Sequence, residues 1–369
     1  MNFSMIGLMR MLNSLTEGII LETVLICFMI FLLFFTSEYF GLIWDTYGQN
    51  DIYLNLSSNI GNSGFPKISI IEEKFYVIWT DNTTGNGDVY FKRSMDNGGT
   101  FGGTENLSNN LGRSSEPDVT LDQEEVYITW TDNTSGNGDV YFKASPDSGF
   151  TFSSVKNLSN NTGASLSPNI AASGNNVYVI WTDNTTGNGD VYFKASLENG
   201  NKFKGKKILA KNLGNSLQPQ MAVSQDGNLI FGVWKDNTKY DPPENATSPN
   251  FDLLFRTSSN QGANFTDRNV IGKNVGDFAD FSQIAIPAKT RDVAVVWSDV
   301  YKYRQPATSD IFFQAIIGNG TTLAEPINLS NNEGNSTMPS IAFSADRMAN
   351  VVWSDSTTGN GDVYFIRVK

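Results

Sequence analysis

Beyond residue 45 the apolar residues fall in short alternating or β-branched runs, with no helical periodicity. One unit shows the pattern. Pro117-Asp118-Val119-Thr120-Leu121 alternates and predicts a first strand, and Val126-Tyr127-Ile128-Thr129-Trp130 predicts a second. Asp139-Val140-Tyr141-Phe142-Lys143 predicts a third, and residues 152–158 a fourth. Clusters of Gly, Asn, Asp and Pro separate them, as strand punctuation should. The unit then returns. The stretch W-T-D-N-T-T-G-N-G-D-V-Y-F-K at residues 79–92 recurs nearly unchanged at 130–143, 181–194 and 353–366, with looser copies from Trp234 and Trp297. The six Trp anchors stand 51, 51, 53, 63 and 56 residues apart. One such unit cannot bury its own apolar face, so the copies must pack on one another. Four short antiparallel strands per period of about 50 residues predict an all-β, six-bladed β-propeller.

The ends bear on closure. The last unit stops after its third strand, while Ile52-Tyr53-Leu54-Asn55-Leu56-Ser57 matches the fourth-strand segments Glu105-Asn106-Leu107-Ser108 and Lys156-Asn157-Leu158-Ser159. Residues 52–57 are therefore expected beside 363–367, closing the ring and removing an unpaired edge. This places the propeller at 49–369 as a monomeric body, preceded by residues 1–48.

Residues 24–35 are an unbroken apolar run, extended upstream by Ile19-Ile20-Leu21. Twelve residues suit the core of a signal peptide, whereas a membrane span needs about 20. With its flanks, residues 19–44 instead serve as an uncleaved anchor that engages the membrane. Both readings put the propeller outside the cell or at its surface. Asn-x-Ser/Thr sequons at Asn55, Asn82, Asn106, Asn133, Asn157, Asn184, Asn245, Asn264, Asn328 and Asn335 are compatible with that.

Charge and composition narrow the chemistry. A net charge of −12 and a pI near 4.5 argue against nucleic acid, which needs a basic face. The chain has no His, which removes His-based triads and zinc–His sites. Its single Cys27 lies in the N-terminal apolar run, so no intrachain disulfide forms. No organic cofactor is expected.

Between third and fourth strands stands Ser94-Met95-Asp96-Asn97-Gly98-Gly99-Thr100-Phe101, followed one unit on by Ser145-Pro146-Asp147-Ser148-Gly149-Phe150-Thr151-Phe152. Drifted copies start at Ser196 and Ser258. The pattern S-x-D-x-G-x-x-F resembles the Asp-box, or BNR repeat, of sialidases and related propellers. The carboxylate is expected to accept turn amides, the Gly to take a positive φ, and the aromatic to plug the gap between sheets. The resemblance covers residues 52–369 as architecture. In the family these boxes lie away from the active site. The family's active site uses three arginines, a Tyr–Glu nucleophile pair and an Asp acid/base, with one arginine in a Phe-Arg-Ile-Pro motif that this sequence lacks. On the expected strands only Arg113 and Arg304 fall in loops of that face, so no sialidase residue is carried over.

That face holds the copied loops. Their paired carboxylates, Asp81 and Asp88, Asp132 and Asp139, Asp183 and Asp190, read either as hairpin turn chemistry or as oxygen cages for Ca²⁺. Blades four and five depart from the copies. Residues 236–252 bring Tyr240, Asp241 and Glu244, residues 299–310 bring Tyr301, Tyr303 and Arg304, and the connection between brings Asp277 and Asp280. Aromatics with carboxylates at a propeller mouth suit a sugar or peptide ligand, although insertions in exposed loops also drift freely. Three functions stand open. The first is an exported, non-catalytic module binding a glycan or a surface protein. The second is a glycoside hydrolase drawing an acid and a base or nucleophile from Asp236, Asp241, Glu244, Asp252, Asp277 and Asp280. The third is a structural component of the cell envelope.

Overall fold

In a computed structural model the chain divides into two units, Met1–Leu56 and Ser57–Lys369. The structure describes residues 54–238, 247–272, 278–287, 289–300, 308–318, 320–344, 346–359 and 361–368. The signal or anchor segment expected at residues 19–44 lies outside them. Among the described residues no helix is long and apolar enough to cross a membrane.

The second unit consists of six antiparallel sheets in chain order. Blade one comprises Ser63–Ile71, Lys74–Asp81, Asp88–Ser94 and Glu105–Asn106. Blade two repeats it with Ser114–Asp122, Glu125–Asp132, Asp139–Ser145 and Lys156–Asn157. Blade three starts at Ser165–Ser173, blade four at Ser216–Val223, blade five at Ala279–Ala285 and blade six at Ser336–Phe343. The second and third strands fall where the alternation put them. The fourth strand of blade two shrinks to two residues, because Phe152 leaves the ladder to pack edge-on against Phe91 of the preceding blade, 5.1 Å between centroids. The first strand is longer than its apolar stretch. A bulge between Ser115 and Asp118, with Glu116 at φ 52°, lets the strand continue through Pro117. Blade six has three strands among the described residues. The segment expected to complete it, 52–57, begins outside them, and its described part carries no strand.

Alternating side chains of each sheet meet the next. Tyr76, Ile78, Val89 and Phe91 of blade one bury against Val119, Val126, Ile128 and Trp130 of blade two. Four further clusters join blades two to three, three to four, four to five and five to six. The equivalent outer faces are exposed, with Ile68 and Ile70 on blade one and Val363 and Phe365 on blade six. Among the described residues no hydrophobic cluster joins blade six to blade one. The Asp-box behaves as its residues suggest. Asp147 accepts the N–H and hydroxyl of Thr151 at 2.8 and 2.7 Å. Gly149 at φ +77° lies so close to Phe91 that a Cβ would meet its ring at 2.7 Å. The boxes of blades two, three and four, where Gly149, Gly200 and Gly262 sit against Phe91, Phe142 and Phe193, thus fasten each blade to the previous one.

Candidate functional site

The copied loops are built from donors that converge on one carboxylate. Asp132, at the end of a second strand, accepts Asn110 Nδ2 at 2.7 Å, Ser114 Oγ at 2.8 Å and Trp130 Nε1 at 3.2 Å through Oδ2. Its Oδ1 accepts the N–H and hydroxyl of Thr134 at 2.9 and 2.5 Å. The donors come from the inter-blade connection, the first strand, the Trp repeat and the hairpin, so one side chain ties four segments. Gly112 is required because a Cβ there would lie 2.5 Å from Thr134 N. Asp81, Asp183, Asp236 and Asp355 each accept the equivalent Asn amide, Ser hydroxyl and Thr backbone N–H in their blades. Across the hairpin, Asp139 accepts Ser135 Oγ, Asn157 Nδ2 and Ser159 Oγ at 2.7, 2.8 and 2.6 Å. Asp88 does likewise with Thr84, Asn106 and Ser108. Among the described residues no three or more His, Cys, Asp or Glu side chains form a cluster that could hold a metal ion.

The donor count decides the ionisation. Burial raises the carboxyl of Asp81, but Ser63, Thr83 and Asn59 together bring it down to about 2. In blade three Ile208 pairs with Tyr192 where blade one pairs Asn106 with Tyr90, so the strand amide that bonds Asp88 has no counterpart, and burial raises the carboxyl of Asp190. Blade five breaks the lock itself. Ala279 pairs with Asp299 as Ser114 pairs with Asp132, so the hydroxyl donor is gone. Among the described residues Asp299 accepts the N–H of Phe278 at 3.0 Å and the indole N–H of Trp297 at 3.3 Å as non-local and side-chain donors. Burial, with the nearby Asp252 charge adding to it, raises Asp299 from 3.8 to about 6. Ionising it therefore costs more in the folded than in the unfolded chain. Its contribution is complete below about pH 4 and falls as pH rises through about 6. Relative to the parent, Asp299→Asn should gain up to about 3 kcal/mol of unfolding free energy between pH 4 and 7. Denaturant titrations at both pH values check this, and a pH-independent difference would contradict it.

Around this broken lock the structure gathers part of the predicted blade four to five site. Lys235 Nζ bridges to Asp280 Oδ1 at 2.8 Å and lies 5.3 Å over the ring of Phe251. Phe251 meets Phe278 edge-on at 6.0 Å. Asp252 pairs in register with Asp236, whose own carboxylate is enclosed in the blade four lock. Asp252 and Asp280 are thus on the blade four to five side with Asp299, which the sequence pattern had not singled out. Tyr240, Asp241, Glu244, Asp277, Tyr301, Tyr303 and Arg304 lie outside the described residues.

A second feature was not read from the sequence. A cavity of about 330 Å³ is lined by the first strands of five consecutive blades. Blade one supplies Phe65 and Lys67, blade two Glu116 and Asp118, blade three Ser167 and Asn169, blade four Gln218 and Gln220, and blade five Ser282 and Gln283. These are the bulge positions, and Phe65, Glu116, Ser167 and Gln218 have φ between 49° and 52°. The bulge turns both neighbours of the strand proline toward the cavity. Hydrogen bonds pass from blade to blade around it. Ser167 N donates to Glu116 Oε2 at 2.7 Å, Asn169 Nδ2 and Ile170 N donate to Asp118 Oδ2 at 2.8 and 2.9 Å, and Met221 N donates to Asn169 Oδ1 at 2.7 Å. Burial pushes the Asp118 carboxyl up against the pull of Lys67. The available signal was S-x-x-P-x, in which the Ser and Pro recur at Ser114 and Pro117, Ser165 and Pro168, and Ser216 and Pro219, while the residues flanking Pro change. Variation inside an otherwise copied unit marks positions that the scaffold does not need.

No protein-family model matches the chain, and no curated protein matches it in sequence. Solved structures do match its shape. The NanB sialidase of Streptococcus pneumoniae, as its K499G mutant, aligns at TM-score 0.53 and 9% identity over 84% of this chain and 68% of that one. The intramolecular trans-sialidase of Ruminococcus gnavus, solved with oseltamivir carboxylate, aligns at 0.55 and 10% over 88% and 97%. The GH93 α-L-arabinofuranosidase of Fusarium graminearum, solved with arabinobiose, aligns at 0.54 and 13% over 83% and 92%. The chain has a sialidase-like β-propeller fold. At these identities the likeness extends to the fold alone, and the Asp-box reading of the sequence agrees with it.

Proposed function

We propose that this chain is an exported or surface-anchored propeller that binds a glycan without turning it over, and that the ligand sits in the first-strand cavity. One observation carries the reading. The cavity wall offers amides and hydroxyls from Ser167, Asn169, Gln218, Gln220, Ser282 and Gln283 beside the ring of Phe65, and Lys67 is the one cation among its described lining residues. Neutral donors and acceptors with one apolar surface suit sugar hydroxyls and a sugar face. The carboxylates present are engaged, since Glu116 and Asp118 already accept hydrogen bonds from blade three. Two of the fold neighbours are an α-L-arabinofuranosidase and a trans-sialidase, which supports the ligand class. In this reading the copied Asp pairs are hairpin locks and hold no Ca²⁺, and residues 19–44 direct or hold the protein at the membrane.

The test is a glycan array with the full chain, followed by titration of any hit against Gln220→Ala/Gln283→Ala. The double variant should bind at least about tenfold more weakly with an unchanged melting temperature. Full binding by that variant, together with loss in Phe278→Ala, would move the site to blades four and five.

The hydrolase reading keeps one specific observation. Asp299 holds its proton to about pH 6 beside the charge of Asp252, and a raised acid near a second carboxylate is how a glycosidase divides its two roles. Turnover of aryl glycosides by the parent, lost in Asp299→Asn, would favour it over the binding reading.

A further inference from the structure

Six sequons of the repeat fall into two structural classes. Asn106, Asn157 and Asn328 sit in fourth strands and are half-buried. Their side-chain amides donate to Asp88, Asp139 and Asp310 at 3.0, 2.8 and 2.8 Å. Their carbonyl oxygens accept the N–H groups of Asn109, Asn160 and Asn331, each at 2.8 Å. The serine two residues on, which the sequon also requires, donates to the same Asp in each blade. Both ends of the amide are held inside the hairpin. A glycan on this nitrogen would have to leave between the fourth strand and the loop it ties.

Asn82, Asn133 and Asn184 open the copied loops and are exposed. Here only the inner end of the amide is held. Their carbonyl oxygens accept the backbone N–H groups of Asn62, Arg113 and Ala164 at 2.7, 2.6 and 2.6 Å. Their own N–H groups donate back to the carbonyls of the same three residues at 3.2, 3.1 and 3.0 Å. This two-point clamp fixes the side chain with its oxygen inward and its nitrogen toward solvent. The nitrogen is the atom a glycan joins.

We propose that Asn82, Asn133 and Asn184 are N-glycan acceptor sites of the folded protein, and that Asn106, Asn157 and Asn328, although they carry the same sequon, are not. The step joins the amide nitrogen to the anomeric carbon of a lipid-linked oligosaccharide, with the lipid pyrophosphate as leaving group and the amide proton released. The pattern has a spatial consequence. In blade four the equivalent Asn237 has the same clamp from Asn215, but Lys239 replaces the sequon hydroxyl residue, and blades five and six carry Val300 and Ser356 at that place. At this position of the copied loop only blades one to three would carry a glycan.

The experiment uses the full chain behind a host signal in a eukaryotic secretory system. The folded fraction, secreted or membrane-retained, is purified and its glycopeptides are mapped by mass spectrometry after enzymatic deglycosylation in heavy-oxygen water. The expected result is occupancy at Asn82, Asn133 and Asn184 and none at Asn106, Asn157 and Asn328. The triple variant Asn82→Gln/Asn133→Gln/Asn184→Gln should lose three glycans of mass with an unchanged yield of folded protein. Occupancy of the fourth-strand sites in folded protein would overturn the proposal. So would a folded fraction that passed through the secretory system with Asn82, Asn133 and Asn184 all bare.

Discussion

Replacing Trp130 with alanine is expected to destabilise the protein by about 3–5 kcal/mol, the range for deleting a large buried aromatic. The side chain is fully buried in the cluster between blades one and two. Its ring lies on Tyr141, 6.0 Å between centroids, and its indole N–H donates to Asp132. Alanine removes all of that packing, and the sheets cannot close the void without breaking the strand ladders on either side. Phe should recover most of the packing and lose only the hydrogen bond. Chemical denaturation of both variants checks this. A loss under about 1 kcal/mol for the alanine variant would place the ring at the surface.

Asp183→Ala should cost a similar amount, about 3–5 kcal/mol, for a different reason. Asp183 is fully buried and receives Asn161 Nδ2 at 2.6 Å, Ser165 Oγ at 2.9 Å, Trp181 Nε1 at 3.2 Å and Thr185 N at 2.9 Å. Removing the acceptor orphans four donors, and each unsatisfied buried donor costs about 1–3 kcal/mol before water or rearrangement recovers part of it. Asn, which keeps one acceptor oxygen, should lose less. Burial raises this carboxyl but the donors lower it further, so the net shift is downward. The lock is therefore intact at neutral pH and is lost as pH falls below the ordinary carboxylate range. Adding EDTA to the parent should leave its melting temperature unchanged. A drop matching that of Asp183→Ala would mean that these carboxylates hold a cation.

The Asp-box, and the part of the lock made within the hairpin turn, were legible because those interactions are local. Asp132 and Thr134, or Asp147 and Thr151, meet within one turn, so spacing alone brings them together. Blades four and five were legible as a departure from the copies, and the structure places Asp252, Asp280 and Lys235 there. Two things escaped. Asp299 reads in the sequence as one more member of W-x-D, and its altered ionisation comes from Ala279, twenty residues upstream, which enters the lock only through strand pairing. The cavity escaped because Lys67, Asp118, Asn169 and Gln220 lie in successive blades, separated by 51 residues at each step, and no local pattern relates them.

The sequence by itself determined the all-β class, the six-fold repeat, the blade as its unit and the Asp-box character, because alternation and turn chemistry act over a few residues. Tertiary structure alone decided which copies of one motif are chemically different. Whether an Asp is ionised, whether an Asn amide is held or free, and whether a residue beside a strand proline lines a cavity all depend on donors and walls from neighbouring strands and blades. Identical local sequences acquire different chemistry when those neighbours change.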